Sequence, residues 1–324
     1  MTRIFGTLGP ACAGAARLER MLRLGMTGVR LNLSHRSLLE SKPMTDALRE
    51  AAERAGVRPE LVIDLQGPEL RIGALESPLP LREGEETALD FIPGPIREGL
   101  RPGQELLLDD GKLLLSVCGT NRALVRRGGT LTSRKSLALP GLAVELPALT
   151  DSDRENLALA REAGVTGVMQ PFVRSRADLT ALRSALTDAG AGELRLYAKV
   201  ENREGLAALP DWLDAADEIV IARGDLGNAM PLWELPAAQK RIAALCRERQ
   251  KPFMVVTQML ASMERSPVPT RAEVCDVFNA VLDGASSVMV TGETAVGGYP
   301  EEVIRVLTAT VREAEHYENN ITET

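Results

Sequence analysis

The apolar positions of this chain fall into short runs of strand-like composition, and stretches with helical spacing lie between most of them. Eight runs are predicted as strands, at residues 3–8, 28–33, 60–65, 167–172, 195–201, 218–223, 252–257 and 286–291. Helices are predicted at residues 15–24, 37–55, 153–163, 177–189, 236–249, 271–283 and 300–317. Because eight strands that alternate with helices suit a closed parallel barrel, the pattern predicts an α/β fold of the (β/α)8 TIM-barrel type.

One segment interrupts this alternation. Between residues 71 and 146 the helical spacing gives way to glycine, proline and short alternating runs, as in "LRPGQELLLDDGKLLLSV". This pattern predicts a small all-β domain inserted after the third strand. The barrel then comprises residues 1–70 and 147–324, and the insertion lies at the carboxyl end of the strands, where such barrels keep their active sites.

Several polar side chains share the inward face of the predicted strands. Successive side chains point to opposite faces of a strand. Arg30, Asn32 and Ser34 therefore share one face of the second strand, opposite its apolar residues. The same alternation puts four further polar residues inward, namely Asp64, Lys199, Glu201 and Thr291. For any one of them a helix cap or an internal ion pair explains the pattern equally well. Several charges on one rim favour a functional site, because a buried charge is costly.

The composition limits the kinds of molecule that the chain is expected to bind. The chain has 324 residues, a formal net charge of −7 and 3% aromatic residues. This balance argues against nucleic acid and membrane surfaces, and leaves a small phosphorylated molecule bound by local Lys and Arg. The four cysteines show no CxxC spacing. The amino terminus lacks a signal-peptide pattern, so we expect a cytoplasmic protein.

The run "EIVIARGDLG" ends a predicted strand with an Arg-Gly-Asp sequence flanked by apolar residues. A tight turn explains the glycines, but Asp225 follows the sixth strand and could meet Glu201 at the end of the fifth. Two carboxylates, with room for water and a substrate phosphate, are a usual way to bind Mg²⁺. A second set of oxygen-bearing side chains with one formal charge suits a monovalent cation and comprises Asn32, Ser34 and Asp64.

Long motifs in a fixed order carry a family resemblance. They include "GTLGPA", "VRLNLSH", "DLQGPELRIG", "LLDDG", "LPALTDSD", "AKVENREG", "IVIARGDLG", "PFMVVTQMLASMERSPVPTRAE" and "AVLDGASSVMVTGETAVGGYPEE". On these motifs the chain resembles the pyruvate kinase family from about residue 4 to about residue 315. The resemblance implies a phosphotransferase that moves the phosphoryl group of phosphoenolpyruvate to ADP, giving ATP and Mg²⁺-bound enolpyruvate that becomes pyruvate.

The resemblance also implies roles for individual residues. It assigns Mg²⁺, or Mn²⁺, to Glu201 and Asp225, and K⁺ to Asn32, Ser34, Asp64 and the carbonyl of Leu65. It assigns catalysis to Lys199, Thr257 and Arg30, and the nucleotide to Arg30, His35 and Lys135. It assigns the three-carbon substrate to Arg71, Thr257, Thr291 and the segment of Ala222, Arg223, Gly224 and Asp225.

The chain departs from the family pattern at several positions. Leu65 and Gln66 replace a threonine and a lysine, Arg36 replaces a glycine, and Val296 replaces a lysine. Family members continue into a C-terminal domain with a sugar-phosphate effector site, whereas this sequence stops after "VREAEHYENNITET". We therefore expect a short form without that domain, either a truncated chain or a naturally short enzyme.

Two alternatives stay open at this stage. Barrels that hold a pyruvate enolate on Mg²⁺ also catalyse aldol and lyase reactions. The departures at Leu65, Gln66, Arg36 and Val296 would suit a degenerate kinase that is kept as a binding or regulatory protein. The sequence does not fix the preferred nucleoside diphosphate, and the resemblance allows a homo-oligomer.

Overall fold

The computed structural model describes residues 1–34, 36–109, 111–140 and 146–322. Within these residues the strands are β1 (Arg3–Thr7), β2 (Gly28–Asn32), β3 (Glu60–Asp64), β4 (Leu79–Leu81), β5 (Glu86–Ala88), β6 (Glu105–Leu108), β7 (Leu113–Gly119), β8 (Arg122–Arg127), β9 (Gly129–Leu131), β10 (Leu137–Ala138), β11 (Gly167–Gln170), β12 (Arg195–Val200), β13 (Glu218–Ala222), β14 (Phe253–Val256) and β15 (Ser287–Met289). All eight predicted barrel strands are confirmed, each slightly shorter than predicted.

The helices of the described residues are α1 (Ala15–Arg23), α2 (Lys42–Ala55), α3 (Gly94–Gly99), α4 (Asp151–Ala160), α5 (Arg176–Asp188), α6 (Arg203–Trp212), α7 (Arg223–Asn228), α8 (Leu235–Glu248), α9 (Arg271–Leu282), α10 (Gly292–Ala295) and α11 (Pro300–Thr322). The predicted long helices are confirmed, but α2 begins five residues later than predicted. Its first turn contains Pro43, whose ring fits the start of a helix and not its interior. The sequence pattern does not predict α6, which has Pro210 near its end.

Eight parallel strands close the barrel in the order β1-β15-β14-β13-β12-β11-β3-β2. The interior contains a buried apolar cluster made by Phe5, Val62, Met169, Tyr197, Val220, Ala222, Met254, Val256 and Met289. Three of these residues, Val62, Tyr197 and Met289, share a strand face with predicted inward polar residues. The predicted alternation of faces is therefore confirmed for β3, β12 and β15.

The inserted segment forms its own antiparallel structure after β3. A five-stranded sheet has the order β10-β6-β7-β8-β5, and β4 pairs with β9. A separate apolar core fills this unit, with Leu106, Leu115, Ala123 and Leu131 fully buried. This confirms the prediction of a small inserted β domain, which also contains the short helix α3.

The chain divides into two compact units. One comprises residues 1–67, 148–223 and 236–324, and the other comprises residues 68–147 with residues 224–235. The segment 224–235, which contains Asp225, thus groups with the insertion and not with the barrel. The predicted domain limits at residues 71 and 146 stay predictions.

A network of charged and hydroxyl groups lies at the amino ends of the barrel strands. Glu218, at the start of β13, is fully buried and pairs with Arg3 of β1 and with Arg195 of β12, the latter at 3.2 Å. Ser287 of β15 donates a hydrogen bond to the same carboxylate at 2.5 Å. The Tyr197 hydroxyl donates to the neighbouring Glu60 at 2.8 Å. We call these five residues and Glu60 the floor network.

Among the described residues, no helix is both long enough and apolar enough to cross a membrane.

Candidate active site

Four charged side chains meet inside the carboxyl end of the barrel. The Arg30 guanidinium of β2 donates from Nε to Asp64 Oδ2 of β3 at 2.7 Å. Lys199 Nζ of β12 lies 3.2 Å from the same oxygen and 2.8 Å from Glu201 Oε1. We call Arg30, Asp64, Lys199 and Glu201 the rim cluster. Two cations and two anions alternate in it, so the cluster is neutral when all four groups are ionised.

Burial and neighbouring charges shift the pKa values of Lys199 and Asp64 in opposite directions. Burial favours the neutral form of Lys199, but the charges of Asp64 and Glu201 together outweigh it and raise the pKa of the ammonium above its usual value. Burial likewise favours protonation of Asp64, but the charges of Lys199 and Arg30 hold the pKa of its carboxyl below the usual value. Lys199 therefore keeps its proton and Asp64 its negative charge throughout the neutral range.

One predicted ligand of a monovalent cation, Asp64, belongs to this cluster, and the others are close to it along the chain or in the sheet. Asn32 of β2 and Asp64 of β3 are partners in the strand register. The Asn32 side-chain oxygen accepts a hydrogen bond from the Ser34 backbone N–H at 3.1 Å, which leaves acceptor capacity on that oxygen. Leu65 follows directly, and its backbone N–H donates to Met169 of β11 at 3.2 Å. One carboxylate among neutral oxygens is a donor set that fits K⁺.

The loop after β3 is fixed by a carboxylate that sequence reasoning missed. Asp153 is fully buried and accepts the backbone N–H groups of Gln66 at 2.8 Å and Gly67 at 3.0 Å. The same side chain forms a capping box with Thr150 at the start of α4. The motif "LTDSD" signals the cap, but only the fold reveals that the cap also holds the loop carrying Leu65.

Thr257 follows β14 and has an unusual backbone conformation. Its φ is +80° and that of Gln258 is +56°. Positive φ is a clear outlier for a β-branched residue and costs about 1–3 kcal/mol, so the surroundings must hold it in place. The Arg223 side chain donates from Nε and Nη2 to the Thr257 carbonyl oxygen at 3.1 and 2.8 Å. Sequence reasoning assigned Arg223 to substrate and missed this contact.

Thr291 lies after the neighbouring strand β15. Its backbone N–H donates to Glu293 Oε2 at 2.6 Å, and its hydroxyl does so at 3.3 Å. Glu293 is buried, and its other oxygen accepts the Leu260 N–H at 3.2 Å. This carboxylate therefore ties the loop after β14 to the loop after β15.

Arg71 and Lys135 belong to the second compact unit. The Arg71 guanidinium donates to Glu69 at 2.8 and 3.0 Å and to the Arg134 carbonyl at 2.9 Å. Lys135 Nζ lies 2.7 Å from Asp109 Oδ1, and this pairing helps to hold the pKa of the Asp109 carboxyl below its usual value although burial opposes the shift.

Two predicted residues need separate mention. Asp225 lies in the first turn of the short helix α7, and its carbonyl accepts the Ala229 N–H at 3.1 Å. His35, predicted to contact the nucleotide, lies outside the described residues. The nucleotide role of His35 stays a prediction.

Glu201 has the features expected of a ligand for a divalent cation. It is 2% exposed, and its Oε2 accepts the Phe172 N–H at 2.8 Å. Its enclosed Oε1 meets the Lys199 ammonium as an ion pair without good hydrogen-bond geometry. No cluster of three or more His, Cys, Asp or Glu residues suited to a metal occurs in the described part of the chain. Mg²⁺ commonly uses one or two carboxylates with substrate oxygens, so the donor set fits this ion.

Comparison with known proteins gives a consistent result. The chain matches the family model "Pyruvate kinase, barrel domain" over residues 1–304. It is 39% identical to a pyruvate kinase of Corynebacterium efficiens, over 97% of this chain and 70% of that protein. It is 35% identical to one of Geobacillus stearothermophilus, over 94% of this chain and 55% of that protein. It is 37% identical to a cytosolic isozyme of Nicotiana tabacum, over 97% of this chain and 66% of that protein.

The chain thus spans about 55 to 70% of the length of these relatives. The match to the family model covers most of the chain, including the strands that carry the rim cluster. On sequence and on fold, the chain belongs to the pyruvate kinase family.

Proposed function

We propose that this chain transfers the phosphoryl group of phosphoenolpyruvate to ADP, which yields ATP and pyruvate. The observation that carries the proposal is the buried, neutral rim cluster at the carboxyl ends of β2, β3 and β12. Phosphoryl transfer needs positioned charges more than covalent chemistry, and a fixed cluster of this kind provides them without reorganisation. Membership of the pyruvate kinase family supports the same substrates.

Two cations belong to the proposal. Glu201 and Asp225 would hold Mg²⁺ or Mn²⁺, and Asn32, Ser34, Asp64 and the Leu65 carbonyl would hold K⁺. When bound, these ions neutralise the charges of the substrate carboxylate and phosphates. The support is the chemistry of the donor oxygens and the enclosed oxygen of Glu201.

The chain's own side chains supply the remaining charge. The protonated Lys199 would stabilise the phosphoryl group in transit, and Arg30 and Arg71 would bind its oxygens. Lys135, with His35, would bind the nucleotide phosphates. The backbone from Ala222 through Arg223 and Gly224 to Asp225 would orient the substrate carboxylate, with Thr291 close to it in the family pattern.

The second half of the reaction is proton transfer. Loss of the phosphoryl group leaves enolpyruvate, whose terminal carbon must gain a proton to become the methyl group of pyruvate. Thr257 is the proposed source of that proton, through a water molecule. The conversion to the keto form is favourable and makes the overall transfer favourable.

The proposed alternatives receive no specific support. A degenerate kinase would be expected to lack charged residues at the reaction centre, whereas Lys199, Glu201, Asp225 and Thr257 are all present. Against an aldolase or lyase, Arg30, Arg71, Lys135 and the proposed monovalent-cation site all favour transfer of a phosphoryl group. Assembly into a homo-oligomer stays a prediction.

A coupled assay tests the proposal. The purified chain is supplied with phosphoenolpyruvate, ADP, Mg²⁺ and K⁺, and pyruvate release is followed. We expect pyruvate formation that requires all four components. Phosphoenolpyruvate that binds in the presence of Mg²⁺ without release of pyruvate would instead favour the binding protein. Pyruvate formation from an aldol adduct, with none from phosphoenolpyruvate, would favour the lyase.

A further inference from the structure

Residues 257–260 are held from two sides by buried charged groups. On one side Arg223, the first residue of α7 directly after β13, donates two hydrogen bonds to the Thr257 carbonyl and a third to the Gln258 carbonyl at 3.2 Å. On the other side Glu293 accepts the Leu260 N–H. The loop that carries Thr257 is therefore bound through the backbone at three of its four residues, by Arg223 on one side and by Glu293 on the other.

The guanidinium is itself fixed. Arg223 is 11% exposed, and its Nη1 lies 2.8 Å from both oxygens of Asp276 on α9. Its Nη2 also contacts the Met259 sulfur at 3.0 Å. Arginine is suited to this task, because its planar fork of N–H groups can bind a carbonyl and a carboxylate at once, which an ammonium cannot do with the same geometry.

The bonded carbonyl belongs to a strained residue. With φ at +80°, Thr257 adopts a conformation that a free loop would leave, and the adjacent Gln258 is also left-handed. Strained residues persist only where the surroundings over-determine them, and they concentrate at functional sites. Within the described residues, the side-chain hydrogen bonds to Thr257 run to its backbone carbonyl.

From this geometry we propose that Arg223, supported by Asp276, is a positioning residue for enolate protonation and acts through the backbone of Thr257. The inference rests on the proposed function. In the step concerned, the enolate's carbon–carbon π pair forms the new C–H bond and the C–O bond becomes a carbonyl. The proton comes from the Thr257 hydroxyl through water, and the hydroxyl regains a proton from solvent. Arg223 itself neither gives nor takes a proton.

The test separates protonation from substrate binding. Exchange of the pyruvate methyl hydrogens in D2O, followed by proton NMR with Mg²⁺ and K⁺ present, reports proton transfer at carbon without phosphoryl transfer. We expect Arg223→Met to slow this exchange and the forward kcat on the order of 10²-fold, because small displacements of a reacting group cost about that much. The KM for phosphoenolpyruvate should change little. Arg223→Lys should restore part of the loss.

A double variant distinguishes positioning from a general loss of structure. If Arg223 acts through Thr257, then Arg223→Met combined with Thr257→Ala should exchange no more slowly than Thr257→Ala alone, because residues that act as a unit are not additive. Additive losses would overturn the inference. So would unchanged exchange, per folded molecule, in Arg223→Met.

Controls keep the outcome interpretable. Arg183 also binds backbone carbonyls, at 3.0 and 3.4 Å, and an aspartate, Asp217, but near the start of β12. Arg183→Lys should leave exchange unchanged. If Arg223→Met does not fold, Arg223→Lys and Asp276→Asn take its place, and wild-type exchange in both would overturn the inference. A wild-type chain that makes no pyruvate would refute the proposed function instead.

Discussion

At the residue scale, the proposed chemistry concentrates on Lys199. Its ammonium faces two carboxylates, and these keep it charged in a buried place. A structural ion pair would look similar in a static view. The two roles differ in what the charge does during the reaction, because only an interaction that is stronger in the transition state than in the ground state lowers the barrier.

Replacing Lys199 by methionine separates these roles. We expect Lys199→Met to reduce kcat on the order of 10²–10³-fold, the cost of removing one stabilising group from such a site. Mg²⁺-dependent binding of phosphoenolpyruvate, measured by calorimetry, should weaken far less. Lys251→Met is the control, because Lys251 is also partly buried but donates to the Ala216 carbonyl at 2.6 Å, near the start of β13. A Lys199→Met protein that melts early yet turns over normally per folded molecule would contradict the proposed role.

A monovalent cation is expected at the neighbouring oxygens. Asp64 carries the only formal charge of the proposed set, and Arg30 and Lys199 already contact it. Turnover should rise strongly when K⁺ replaces tetramethylammonium at equal ionic strength. Ser34→Ala should raise the K⁺ concentration needed for half-maximal rate. Equal rates of the wild-type chain in both salts would reject this site.

At the element scale, the strands were the most predictable part. Each barrel strand is an apolar run buried by helices on one side and by the barrel interior on the other, so composition alone marks it. The inward positions of Arg30, Asp64, Lys199 and Glu201 followed from alternation. Their grouping did not, because the sequence placed Asp64 with Asn32 and Ser34, whereas the structure pairs it with Arg30 and Lys199. Loops have no such two-residue alternation of side chains.

Contacts between loops could not be predicted from the sequence. Arg223 lies in a motif that the family resemblance assigns to substrate binding. Its side chain nevertheless donates a hydrogen bond to the Thr257 carbonyl, 34 residues away along the chain. The sequence around Asp153 indicates a helix cap. The same side chain also binds the loop after β3, whose Gln66 is 87 residues away along the chain. Such partners depend on which strands become neighbours, and an isolated motif does not contain that information.

The loop after β3 gives a test at this scale. Gly67 has φ of +58°, and a Cβ atom there would lie 2.4 Å from Pro171 Cγ. Gly67→Ala should therefore lower the free energy of unfolding by about 1–3 kcal/mol and raise the K⁺ requirement through the adjoining Leu65. Chemical denaturation and a K⁺ titration measure the two effects. Gly56→Ala is the matched control, with φ of +69° and open space around it, and it should affect stability alone and by a smaller amount.

At the scale of the whole molecule, the two ends of the barrel have different tasks. The rim cluster is the proposed reaction centre, whereas the floor network joins the first residues of β1, β3, β12, β13 and β15. This division matches the general behaviour of such barrels, whose catalytic groups lie at the carboxyl ends of the strands.

Removing a floor charge should therefore affect stability and not chemistry. Glu218→Gln takes the negative charge from between Arg3 and Arg195, and breaking a buried pair in this way costs about 3–5 kcal/mol. The kcat per folded molecule should be unchanged. Glu301→Gln, at a partly exposed carboxylate that pairs with Arg17 and Arg20, should cost less than about 1 kcal/mol. A selective loss of kcat in Glu218→Gln would show that the two ends are coupled.

Closure of the barrel also affects how the chain folds during its synthesis. Strand β1 hydrogen-bonds β2 on one side but β15 on the other, so its second edge finds a partner only after Ser287–Met289 have been synthesised. At about 5–20 residues per second, a nascent chain carries that open edge for roughly 15–60 s. An unpaired strand edge is a template for pairing with other chains. Slow translation or ribosome stalling before Ser287 would therefore lengthen the time in which this protein depends on chaperones.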